Sequence, residues 1–127
     1  MTKYVPLDVG PLQVTTINLA LGLSLKPGIA HFSALAQEHA DDKHPNDFAI
    51  CMDNIARIVR APSYVGRGPK AKDGFELIGE VKSPTSLVLI ALKIVPDEKG
   101  RYIVSSAYRI DQKRLDTRID RGYCFRT

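Results

Sequence analysis

No stretch of this chain is apolar for long enough to cross a membrane. The longest uninterrupted run, Leu87 to Leu92, has the length of a strand. Lys3, Pro6 and Asp8 precede any apolar stretch, so a secretory leader is not expected. Cysteine is scarce. Cys51 and Cys124 stand far apart and form no metal-ligand pattern; they are free to pair, but two reduced intracellular thiols are the plainer expectation. Gly66, Gly68 and Gly74 complete neither GxGxxG nor GxxxxGK[ST], which excludes the common phosphate-binding loops. There is no internal repeat and no low-complexity segment.

What remains is the make-up of one globular domain spanning 1–127, with 1–28 as a less regular N-terminal segment. At 127 residues there is no room for a second domain of ordinary size. A domain of this length buries roughly two-thirds of its unfolded surface and needs neither metal nor disulfide to fold. Charge is uneven along the chain. Residues 1–50 carry three Lys/Arg against five Asp/Glu, a net of −2; residues 51–127 carry fifteen against nine, a net of +6. A positive surface built by the later part favours nucleic acid as partner, although many basic domains touch none.

Helical and strand patterns follow one another in order. Residues 1–10 read as a tail or irregular entry, and Val14 to Leu25 is compatible with strand or helix. Lys26-Pro27-Gly28 is a turn, Ile29 to Phe32 a short strand, and Ser33 a good N-cap for a helix over 34–43. His44-Pro45 breaks that helix and starts another over 46–60, where Phe48, Cys51 or Met52, Ile55, and Ile58 or Val59 recur at helical spacing. Residues 63–74 read as an irregular connection. The remainder predicts a meander: strands 75–81, 87–95 and 101–110, with turns at Ser83-Pro84 and 96–100, then a short charged helix over 112–120. Helices before an antiparallel sheet define an α+β domain.

Several side chains invite a chemical reading. His31, His39 and His44 are the only histidines. His39 and His44 would diverge on one unbroken helix, but Pro45 lets His44 leave helical geometry and turn back, where two imbidazoles can serve as base and acid. Asp41, Asp42 and Asp47 lie near enough to suggest zinc, yet no cysteine pair or HExxH motif supports it, so no metal or other cofactor is expected. A surface role for the histidines stays open. Lys93 interrupts an apolar strand, and alternation along 101–110 predicts Tyr102, Val104, Ser106 and Tyr108 on one face. Lys93 and Ser106 together would suit a phosphate; an edge lysine and a solvated serine fit the pattern equally well. Arg57, Arg60, Arg67, Lys70 and Lys72 surround Tyr64, a mixture suited to single-stranded RNA. Lys113, Arg114, Arg118, Arg121 and Arg126 form a second basic group, diluted in sequence by Asp111, Asp116 and Asp120.

These residues also carry a resemblance. His39-Ala-Asp-Asp-Lys-His44-Pro45, the helix ending Ile58-Val-Arg-Ala-Pro62, Tyr64-Val-Gly66, Leu92-Lys93, Lys99-Gly100-Arg-Tyr102 and Val104-Ser-Ser106-Ala-Tyr108 resemble the phage-associated branch of the barnase–EndoU–colicin–RelE ribonucleases, over roughly residues 29–122. The resemblance implies helices packed on a four-stranded antiparallel sheet and RNA cleavage without metal. It implies catalytic roles for His39, His44, Lys93, Ser106 and Tyr108, with serine standing where threonine is common. It further implies a phage or toxin-type effector acting on RNA in the cytoplasm, with tRNA a candidate substrate and an immunity or antitoxin protein a candidate partner. A non-catalytic RNA-binding module and a phage structural protein are the alternatives.

Overall fold

The computed structural model describes residues 3–68, 73–82 and 85–127. The elements run β1 (Leu7–Pro11), α1 (Val14–Leu21), β2 (Ile29–Phe32), α2 (Ala34–Lys43), α3 (Phe48–Arg60), β3 (Tyr64–Gly66), β4 (Gly74–Lys82), β5 (Thr85–Lys93), β6 (Tyr102–Ile110), α4 (Gln112–Asp120) and β7 (Cys124–Arg126). The predicted turn at Ser83-Pro84 lies outside the described residues.

Local chemistry accounts for the helix boundaries. Val14 to Leu25, compatible with either state in sequence, folds as a helix that ends where Gly22 adopts φ 65°. The Asn18 side chain then locks the exit by accepting from Leu25 N at 2.8 Å and donating to Leu25 O at 3.0 Å. Ser33 caps α2 as predicted, its hydroxyl accepting from Ala36 N at 3.1 Å, an interaction generally worth about 1 kcal/mol. The amphipathic α3 buries Cys51, Ile55, Ile58 and Val59.

The α+β class holds, but the sheet has seven strands rather than four, in the order β1-β2-β6-β5-β4-β3-β7. All neighbours are antiparallel except β2 and β6. The added strands are β1, β3 and β7. They are too short to show an alternating pattern and owe their form to distant partners: β1 to β2, and β3 to both β4 and β7. Leu7–Pro11 and Tyr64–Gly66 are therefore more regular than the irregular entry and connection expected there. The strongest predicted strand ends early, at Lys93, where the Ile94 amide turns to donate to Asp73 O at 2.8 Å.

Each face of the sheet carries its own core. On one, α3 packs its apolar stripe over Leu77, Val88, Ile90, Leu92, Val104 and Ala107. Gly79 on β4 permits this approach, because a Cβ there would collide with the buried Ile58 side chain. On the other face Ile78, Leu87, Leu89, Ile110 and Cys124 gather around Leu115 of α4. Burying a side chain such as Leu89 or Leu115 stabilises by about 1.5–3 kcal/mol, enough to hold a short, charged helix on the sheet.

Candidate active site

The site begins with an irregularity in β6. Leu92 pairs with Val104 and Ala91 with Ser106, so Ser105 is an extra residue, a β-bulge. A single inserted residue reverses which side chains face each core. Tyr102 and Val104 enter the α3-side core, but so does Ala107, while Tyr108 and Ile110 join the α4 side. The simple alternation predicted for 101–110 therefore fails at the bulge. Ser106 and Tyr108 share the α4 face; Tyr102 and Val104 do not.

The bulge lies close to a second change. β2 accompanies β6 only as far as the His31–Ile103 pair, which leaves the later part of β6 without a strand on that side. The α2–α3 junction covers the vacant edge. His44 closes α2 at φ −135° and ψ 64°, outside the helical region that the following proline disfavours, and its ring stacks on Tyr108 with centroids 4.8 Å apart and planes 24° from parallel. Asp47 substitutes for the missing strand as an acceptor, taking the Arg109 amide at 3.1 Å and the Arg109 Nε at 2.8 Å. His44 Nδ1 lies 4.0 Å from Asp47 Oδ2.

Across the α4 face, register aligns Glu76, Ala91 and Ser106 in one row and Ile78, Leu89 and Tyr108 in the next. Only a methyl group stands between Glu76 and Ser106. Glu76 is buried, and its carboxylate accepts from Arg118 Nε at 3.3 Å and Nη2 at 3.4 Å. Gly68 runs beside that carboxylate. Burial, followed by the Glu76 charge, pushes the Tyr108 phenol upward; Arg118 and Arg114 oppose the shift, and Arg118 also reaches the hydroxyl itself. Tyr108 thus has His44 against its ring and the Glu76–Arg118 pair near its hydroxyl.

The residues singled out in sequence distribute as follows. His44 and Tyr108 touch, and Ser106 lies on the same face as Tyr108. Lys93 is exposed at the end of β5, two positions beyond Ala91, and so falls on that face by alternation. His39 is not brought to them. It follows the buried Gln37 by two residues, about 200° around α2, and is exposed, with no hydrogen bond, ion pair or ring contact among the described residues. Arg57 lies on the α3 side, donating to Asn54 Oδ1 at 3.1 Å and Glu80 O at 2.8 Å, in an open groove of about 840 Å³ shared with Asp53, Lys82 and Arg109. Arg60 is exposed at the end of α3. Tyr64 packs toward the α4-side core, its hydroxyl accepting from Arg126 at 2.8 Å. Arg67 is half-buried just beyond β3; Lys70 and Lys72 lie outside the described residues.

Glu76 was not singled out in sequence, and Arg118 was named only as a member of the second basic group. A carboxylate between the apolar Phe75 and Leu77 was the available signal for Glu76. For the pairing of Arg118 with Glu76 there was none, because the two lie 42 positions apart. Among the described residues no group of three or more His, Cys, Asp or Glu side chains is arranged to hold a metal ion. Nor is any described helix long and apolar enough to cross a membrane.

A small α+β domain that gathers imidazole, carboxylate, guanidinium and hydroxyls on one sheet face has the equipment for phosphodiester chemistry, and the class it falls in is the BECR-like nucleases. The chain belongs to the family described as phage-Barnase-EndoU-ColicinE5/D-RelE like nuclease 3, whose model matches residues 8–117. Nucleic acid is accordingly its class of substrate. No curated protein and no solved structure matches the chain.

Proposed function

We propose that this chain is a metal-independent endoribonuclease in which a ribose 2′-hydroxyl attacks the adjacent phosphorus. The new O2′–P bond forms as the P–O5′ bond breaks, leaving a 2′,3′-cyclic phosphate and a free 5′-hydroxyl. Glu76 takes the 2′ proton, a role assigned to it rather than to His39 because His39 lies on the outer side of α2. His44 gives a proton to the departing O5′. Arg118 and Lys93 neutralise charge gathering on the phosphoryl oxygens, and Ser106 donates to one of them. Tyr108 holds the His44 ring by stacking. DNA lacks the attacking hydroxyl, so the reaction itself selects RNA.

The observation that carries this reading is the position of Tyr108 between His44 and the Glu76–Arg118 pair. Arg57, Arg60, Tyr64 and Arg67, with Lys70 and Lys72, are proposed as further contacts to the RNA. A phage or toxin-type effector active in a target cytoplasm, acting on tRNA and restrained by an immunity or antitoxin protein, is the biological setting that fits such an activity.

Incubation of the chain with total tRNA and rRNA in EDTA, followed by end-group analysis, tests the reaction. Fragments should carry cyclic phosphates and 5′-hydroxyls. His44→Ala and Glu76→Gln should each lower turnover by about 10²–10⁴, the usual range for losing general acid or base assistance. Binding of RNA without any turnover would instead identify a non-catalytic binding module.

A further inference from the structure

The basic residues near the C-terminus are diluted by acids in sequence but not on α4 itself. At about 100° per residue, Arg114, Arg118 and Arg121 fall within roughly 60° of one another on one flank of the helix anchored by Leu115. Asp116 and Asp120 fall on the opposite flank, and Asp116 accepts there from Gln112 Nε2 at 2.9 Å. The helix therefore has a cationic side and an acidic side.

The cationic side faces the candidate site. Arg118 reaches Glu76, and Tyr108 lies within the electrostatic reach of both Arg118 and Arg114. Asp111, Lys113, Arg114, Thr117 and Arg118 line an open groove of about 450 Å³ along this flank. The one acid there, Asp111, is engaged as the N-cap, its Oδ1 accepting the Arg114 amide at 2.8 Å. The side chains of Lys113 and Arg114 are exposed and make no hydrogen bond or ion pair among the described residues. Both cations line the lip of the groove, Arg114 on the cationic flank and Lys113 about 100° away across Thr117, one turn before Asp116. Arg118 and Arg121 lie past residue 117, where the family match ends.

We infer that the groove along α4 is a subsite for RNA backbone phosphates adjoining the scissile one, with Arg114 on the cationic flank and Lys113 across the groove as its principal contacts and Arg121 extending the track. From Arg114 to Arg121 the helix advances about 10 Å, and a strand laid along it passes Arg118, which reaches Glu76 and the Tyr108 hydroxyl. This inference rests on the ribonuclease reading and adds the helix along which the strand lies. A phosphodiester, rather than a free base, is the ligand, because the groove offers cations and a threonine hydroxyl but no aromatic face.

The test uses the full chain carrying His44→Ala, so that RNA is not consumed, and a fluorescent single-stranded RNA whose binding is followed by anisotropy over a salt series. Neutralising Lys113 and Arg114 (Lys113→Gln with Arg114→Gln) should weaken binding and reduce the slope of log K against log salt by about 1.4, at about 0.7 per lost phosphate contact. Neutralising Lys26 and Lys99, two exposed lysines elsewhere, removes the same charge and should leave the slope unchanged. Equal slopes for the α4 variant and its parent overturn the subsite, as does an equal loss in the Lys26/Lys99 control. Cleavage of RNA by the wild-type chain separates the two ideas. If it cleaves while the α4 slope is unchanged, only the subsite falls; if it neither binds nor cleaves, both do.

Discussion

Tyr108 joins the two halves of the candidate site through different parts of one side chain, its ring against His44 and its hydroxyl toward Arg118 and Glu76. The two contacts can be separated. Tyr108→Phe keeps the stack and should lower kcat by no more than about tenfold, whereas Tyr108→Ala frees the imidazole and should cost about a hundredfold. Steady-state kinetics on a defined RNA would decide it; equal losses would mean that stacking does not position His44. Among the described residues, nucleophilic sulfur is kept out of this chemistry. Burial above all pushes Cys51 up to about 12 and Cys124 up to about 11, with the Asp47 and Glu76 charges adding to the respective shifts. A thiol reagent at neutral pH should therefore label both only after unfolding. Rapid labelling of the native chain would contradict the buried positions.

At the scale of elements, the decisive feature is the stretch of β6 that β2 abandons. Asp47 satisfies the Arg109 amide there, so the α2–α3 junction acts as an edge strand made from one side chain. Asp47→Ala should destabilise by about 0.5–1.5 kcal/mol, the usual net worth of a hydrogen bond whose donor water can reach, and should loosen His44 as well. Both effects are measurable, one as a lowered urea midpoint and the other as a fall in turnover beyond what the stability loss accounts for. Packing of α3 on β4 makes a separate demand. Gly79→Val places side-chain atoms where Ile58 already lies and should cost about 1–3 kcal/mol, with turnover per folded molecule retained. Unchanged stability would show that the helix has room to shift.

For the whole molecule, stability should form a plateau bounded on both sides. Backbone donation from Arg101 holds the Asp97 carboxyl below the ordinary 3.8, and the Tyr4 hydroxyl does the same for Asp41. A depressed carboxyl contributes stability above its ordinary value and loses it as pH falls through the lowered folded value. On the alkaline side Cys51, Cys124 and Tyr108 are raised. Their contribution is full below the ordinary thiol value of 9.0 and is lost as pH rises toward about 12. Urea midpoints measured across pH should hold level between these limits and decline beyond them. Retention of the full midpoint well below pH 3.8 would remove the role assigned to Asp97 and Asp41.

Local patterns determined much of this protein. Ser33 and the Pro45 break define α2, the apolar spacing from Cys51 to Val59 defines α3, and the runs around Leu87 to Leu92 and Tyr102 to Ile110 define central strands. Each depends on neighbours within a few positions, so each is legible without coordinates. The short strands β1, β3 and β7 exist only because distant partners complete their hydrogen bonds. The site divides in the same way. His44 and Tyr108 were visible as residue types in context, but their contact required both the bulge at Ser105 and the early departure of β2. A bulge adds one residue without changing composition, yet it reverses every side chain after it. The pairing of Glu76 with Arg118 likewise arises only when helix and sheet are packed, whereas the separation of cations from acids around α4 follows from helical spacing alone. Periodicity determined the elements; the register between them decided which side chains meet.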